Sequence, residues 1–101
     1  MIKHVILWKL KDEIPEADRA GKIAEAKERL EALAGKIPGL LSITVHTGAL
    51  ASSSADMMLD SAFTDAEALA AYQTNSLHVE AATFVRSIVD TRLCLDFEVE
   101  G

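Results

Sequence analysis

Tyr72 and His78, close together in the chain, and His4 near its start are the side chains best suited to chemistry on a small molecule. An imidazole titrates near neutrality and can take a proton from an acidic carbon flanked by two carbonyls. A phenol hydroxyl can polarise a carbonyl as enolate charge develops. A pocket holding all three rings would therefore combine a base with a donor. The same residues also fit an ordinary interior. A buried tyrosine can reach a backbone carbonyl, and a histidine near a helix start can satisfy a terminal group.

The rings can meet only if the elements that carry them share one interior. On a strand over residues 2–10, Ile2, His4, Ile6, Trp8 and Leu10 fall on one face, with Lys3, Val5, Leu7 and Lys9 on the other. Pro15 suits the first turn of a helix, in which Ile23, Ala26, Leu30, Leu33 and Ile37 recur at helical spacing until Pro38-Gly39 ends it. Two strands follow at about 40–46 and 56–63. The small-residue stretch 49–55 between them has no period and reads as a loop. Thr64-Asp65-Ala66-Glu67 matches a capping box and opens a second helix through Tyr72. Poor helix formers at 73–76 interrupt it, and a third helix runs over about 77–89. From Arg92 to Val99 the chain alternates strictly, as a strand does.

Tyr72 falls on the apolar stripe of the second helix, and His78 on that of the third with Val85 and Ile88, so both should face the sheet. If the helices cover the face bearing His4, then His4, Ile6, Trp8 and Val85 border the same space and are the expected substrate-binding residues. The small side chains of Ala68, Ala71, Ala81 and Ala82 would leave a cavity there, or let helix and sheet approach closely.

Composition narrows the partners. The 101 residues read as one domain, residues 1–101, and 50% hydrophobic with 26% charged is ordinary for a packed domain. Ten basic and sixteen acidic residues give a net charge of -6, which argues against nucleic acid and against an anionic membrane surface. No apolar run approaches the roughly 20 residues of a spanning helix. The start carries no charged-then-apolar leader, and the single cysteine, Cys94, has no partner within the chain, so a cytoplasmic location is expected.

The order strand, helix, strand, strand, split helix, strand predicts an α+β fold of ferredoxin-like βαββαβ type, an antiparallel sheet with its helices on one face. The other face would then carry Val5 and Leu7 with nothing in the chain to cover them. Leaving such side chains wet forfeits roughly 1.5–3 kcal/mol each, so two copies packing sheet to sheet into a homodimer are expected.

With this order, the sequence resembles the stress-responsive A/B-barrel (Dabb) family of dimeric α/β barrels. The resemblance lies in His4-Val5-Ile6-Leu7-Trp8-Lys9-Leu10-Lys11, in Ile37-Pro38-Gly39-Leu40, in the stretch from Phe63 to Tyr72, in His78-Val79 and in Asp96-Phe97-Glu98-Val99. It implies a dimeric barrel that binds an apolar or carbonyl-bearing small molecule, such as an aromatic or keto compound. The family's enzymatic branch, which includes a plant polyketide cyclase, implies catalytic roles: Tyr72 would polarise a carbonyl and His78 would act as general base in an aldol-type closure, with no cofactor. Related barrels extend this to cofactor-independent monooxygenation, and a purely structural or interaction role is the third reading. Many members carry His-Pro-x-His after the tyrosine, whereas Asn75-Ser76-Leu77-His78 keeps only the last histidine.

The remaining candidates read as structural. His4, His46 and His78 lack the short spacing of a zinc site, so no metal is expected. Cys94 reads as a small buried hydrophobe. Asp56, Asp60 and Asp96 read as rim or salt-bridge residues.

Overall fold

Strand β1 (Ile2–Leu10) decides the architecture, because its alternation separates a ring-bearing face from an aliphatic one. In the computed structural model, which describes residues 1–100, it is followed by α1 (Glu16–Glu31), β2 (Leu40–His46), β3 (Met57–Phe63), α2 (Ala66–Thr74), α3 (Ser76–Ile88) and β4 (Val89–Glu98). The strands form one antiparallel sheet in the order β2-β3-β1-β4. This is the expected ferredoxin-like α+β arrangement. His4, Ile6, Trp8 and Leu10 are buried on the helix side, in a core shared with Leu30, Leu59, Phe63, Tyr72 and Val85.

Four local expectations need correction. The apolar period that runs on to Ile37 is not all helix: α1 ends at Glu31, and short turns around Gly35, at φ +76°, carry Leu33 and Ile37 inward on the same side. Periodicity alone cannot tell a helix from successive tight turns that keep one face buried. The cap of α2 is Asp65 rather than Thr64, its side chain accepting from the Ala68 N–H at 2.8 Å. Finally, β4 begins at Val89, directly after α3, and Cys94 on it is exposed rather than buried. As an edge strand it lies beyond the reach of most of the helix layer.

The other edge is closed by helix side chains. Lys27 Nζ donates to the Val45 carbonyl at 2.8 Å, and the Val45 N–H donates to Glu31 Oε2 at 2.9 Å. These bonds occupy backbone groups on β2 that would otherwise invite another strand.

Opposite the helices the sheet is bare. Leu93 lies across from Leu7, Leu95 from Val5 and Phe97 from Lys3. Leu7, Leu93, Leu95 and Phe97 are 39%, 65%, 63% and 38% exposed, and they form an apolar stripe on this face. Beside it Lys3 Nζ meets Asp60 Oδ1 at 2.5 Å, the salt bridge expected of Asp60, and His46 Nε2 is 3.7 Å from Asp60 Oδ2. Donation from Lys3 holds the Asp60 carboxyl below its usual range against the opposing effect of burial.

Candidate ligand pocket between helices and sheet

Asn75 builds the site by breaking the helix. Its φ of −64° and ψ of 131° end α2, its N–H donates to the Tyr72 carbonyl at 3.2 Å, and its side chain accepts from the Leu77 N–H at 2.9 Å to start α3. Tyr72 in the last turn of α2 and His78 in the first turn of α3 are thereby turned to one side, with ring centroids 4.1 Å apart. Tyr72 is fully buried and packs edge-on against Phe63 at 4.8 Å and His4 at 6.1 Å. The aromatic cluster predicted from three separate segments is one contiguous wall.

Strand register supplies a partner for Asp96 that sequence spacing does not reveal. Asp96 pairs directly with His4 across β1 and β4, and its carboxylate accepts a hydrogen bond from His4 Nδ1. Donation to a carboxylate places the imidazole proton on Nδ1 and leaves Nε2 as the other polar atom of the ring. Burial opposes ionisation of Asp96, but the His4 bond, with Cys94 and Arg92 nearby, holds its carboxyl below the usual range. The salt-bridge role expected of Asp96 is thus realised, and its partner is one of the pocket rings.

The rings border a cavity of about 210 Å³ between sheet and helices. His4, Ile6, Trp8, Tyr72, His78 and Val85 all line it. Gln73, Arg86 and Arg92 also line it, although helix and strand spacing does not mark them. For Arg92 the available signal was its place on the Cys94–Asp96 face of the last strand, once that face is assigned to the helix side.

Two polar atoms of the wall are buried without a partner among the described residues, Tyr72 Oη and His78 Nδ1. Each such group costs about 1–3 kcal/mol of stability relative to a satisfied one. Burial pushes the Tyr72 phenol far above its ordinary pKa, with Arg92 opposing weakly, so the hydroxyl is a donor and not a phenolate. Burial lowers the His78 pKa; the Gln73 backbone opposes the shift, though no group meets hydrogen-bond geometry at Nδ1, and His4, Arg86 and Arg92 reinforce it. His78 is therefore neutral at physiological pH and able to accept a proton.

A larger, more open cavity of about 420 Å³ lies beneath the 49–56 loop, reached by Leu7, His46 and Met58. It belongs to the bare side of the sheet and contains neither Tyr72 nor His78, so the smaller, more enclosed cavity is the better site for chemistry.

His4, Cys94 and Asp96 bring one ligand atom each to within 4.8 Å of one another, a set that zinc accepts. Cys94 Sγ is 3.7 Å from His4 Nδ1 and 3.4 Å from Asp96 Oδ1. Burial and the neighbouring Asp96 push the Cys94 thiol up, against the opposing effect of the Arg92 guanidinium. Asp96 and Cys94 thus both lie against His4 Nδ1.

Known proteins agree with this architecture. Residues 2–99 match the model of the stress responsive A/B barrel domain family, Dabb. A dimeric protein of unknown function with a ferredoxin-like fold from Bacteroides fragilis is similar at a TM-score of 0.90 and 28% identity, over 97% of this chain and 95% of that one. A dimeric ferredoxin-like protein of unknown function from Jannaschia matches at a TM-score of 0.78 and 23% identity, covering 97% of this chain and 98% of its own. A Dabb family protein with a ferredoxin-like fold from Mesorhizobium loti matches at 0.69 and 21% identity, covering 99% and 97%. Comparison with curated proteins returns no match. With the family pattern running from the first strand to the last, and a fold like that of its ferredoxin-like neighbours, this chain belongs to the stress responsive A/B barrel domain family.

Proposed function

We propose that this chain works as a homodimer that binds a small carbonyl-bearing molecule with an apolar or aromatic body in the pocket between helices and sheet. The observation that carries the reading is the pair of unpaired buried atoms, Tyr72 Oη and His78 Nδ1, on two residues that line one cavity. Buried polar groups are satisfied in nearly all stable folds, so two orphans on one cavity wall point to a partner that arrives from outside. A ligand carbonyl would accept from Tyr72 Oη, while Ile6, Trp8 and Val85 enclose its apolar body.

Two copies meeting through the stripe of Leu7, Leu93, Leu95 and Phe97 would bury surface that a single copy leaves wet. The dimeric state of the Bacteroides fragilis neighbour supports that assembly. No helix among the described residues is long and apolar enough to cross a membrane. The single thiol, Cys94, favours a cytoplasmic home.

Calorimetric titration with benzoylacetone, a small aromatic diketone, tests the pocket. Binding to the wild type that weakens roughly tenfold or more in Tyr72→Phe supports it. Binding that is unchanged in both Tyr72→Phe and His78→Ala, or no binding at all, overturns it.

A second reading is that the pocket turns its ligand over, as a cofactor-independent aldol-type cyclase or a monooxygenase. The neutral His78 beside the Tyr72 hydroxyl favours it, because this is the protonation state in which a base and a polarising donor cooperate. Consumption of a poly-keto thioester by the wild type and its loss in a folded His78→Ala variant would establish it.

A further inference from the structure

The pocket mouth carries positive charge that carbonyl recognition does not use. Arg86 on α3 and Arg92 on β4 both line the cavity, and no acidic residue does. Among the described residues neither guanidinium takes part in an ion pair. The other two arginines behave differently: Arg19 pairs with Glu16, and Arg29 pairs with Glu25. In a chain with sixteen acidic residues against ten basic ones, carboxylates are in excess, so two unpaired arginines at one opening are a specific feature. Arg86 makes only a long contact, 3.5 Å, to Thr83 Oγ1. Asp96, on which the Arg92 charge acts, is already engaged by His4.

We propose that the ligand of this pocket carries a carboxylate, held at the mouth by Arg86 and Arg92 while its carbonyl and apolar body reach inward to Tyr72 and His78. The inference rests on the pocket reading given above and adds the charge class of its ligand. With no carboxylate on the cavity wall, the two guanidiniums leave positive charge there that an anionic ligand neutralises. A guanidinium fork matches the planar carboxylate in two parallel hydrogen bonds, and both side chains are exposed enough to reach a ligand at the opening. Because the whole chain is negative, attraction of an anion must come from this local pair, and it should weaken as salt rises.

The test is calorimetric titration of 3-benzoylpropanoate and of its methyl ester into wild type, Arg86→Gln, Arg92→Gln and the double variant, at low and high salt. Benzoylacetone serves as the uncharged control. The acid is expected to bind roughly tenfold more tightly than the ester, with the preference shrinking in each single variant, vanishing in the double variant and falling with salt. Equal binding of acid and ester, or a preference that survives in the double variant, overturns the inference and leaves the pocket reading standing. If neither acid nor ester binds while benzoylacetone does, the inference alone fails. If benzoylacetone fails as well, the pocket reading has fallen with it.

Discussion

Among single residues, the pocket is set apart by groups that are costly to bury and have nothing to bond. Tyr72→Phe removes a buried unpaired hydroxyl without changing the ring's packing against Phe63 and His4. The variant should be as stable as the wild type or about 1 kcal/mol more stable, read from urea unfolding, while losing ligand affinity. Destabilisation by more than about 1 kcal/mol would show that the hydroxyl already has a partner within the fold. His78 gives a pH signature. Its folded pKa lies below the unfolded value of 6.5, so the neutral ring's contribution is complete above 6.5 and is lost as pH falls from there through the lower folded value. Wild type should therefore lose more stability than His78→Gln between about pH 7.5 and 5.5; identical losses would contradict the buried neutral ring. Tyr72, His78 and the β1 residues were legible in the sequence because helix and strand periods place them on inward faces. Arg86, Arg92 and the pairing of Asp96 with His4 were not, because they depend on the register of β4 against β1 and on where the helix layer stops, and neither is written in local spacing.

At the scale of elements, the site depends on how segments are joined. Gly39, at φ +82°, ends the turn before β2, and a Cβ there would lie 2.4 Å from the Cβ of Ala68 on α2 and 3.2 Å from Thr64 Oγ1. Gly39→Ala should cost about 2–3 kcal/mol through both the left-handed backbone and the clash, and a change below about 0.5 kcal/mol in urea unfolding would contradict this packing. Asn75 carries the joint between α2 and α3, so Asn75→Ala should cost about 1 kcal/mol and weaken binding of benzoylacetone by loosening the Tyr72–His78 pair. Weakened binding with stability unchanged would instead place Asn75 in the pocket as a ligand contact. The break at 73–76 was readable from its poor helix formers. The end of α1 was not, because Leu33 and Ile37 stay buried after the helix has stopped.

At the scale of the molecule, one sheet serves two purposes, a walled pocket on its helix side and an apolar stripe on its bare side. Leu95→Glu, placed at the centre of that stripe across from Val5, should convert a dimer into a monomer in sedimentation at micromolar concentration while the chain stays folded. A wild type that is already monomeric would remove the sheet-to-sheet assembly. The βαββαβ order and the unpaired face were both readable from alternation along β1 and β4, whereas the enclosure of the pocket required the helices to be placed in space. The claim on which the rest depends is that Tyr72 and His78 close on a ligand carbonyl, and a crystal structure of the protein grown with benzoylacetone tests it most directly. The account predicts the diketone between helices and sheet, with one carbonyl oxygen within hydrogen-bond distance of Tyr72 Oη and the His78 ring beside the carbon between the carbonyls. A diketone seated against the bare face or beneath the 49–56 loop, with the Tyr72 cavity empty, would contradict it.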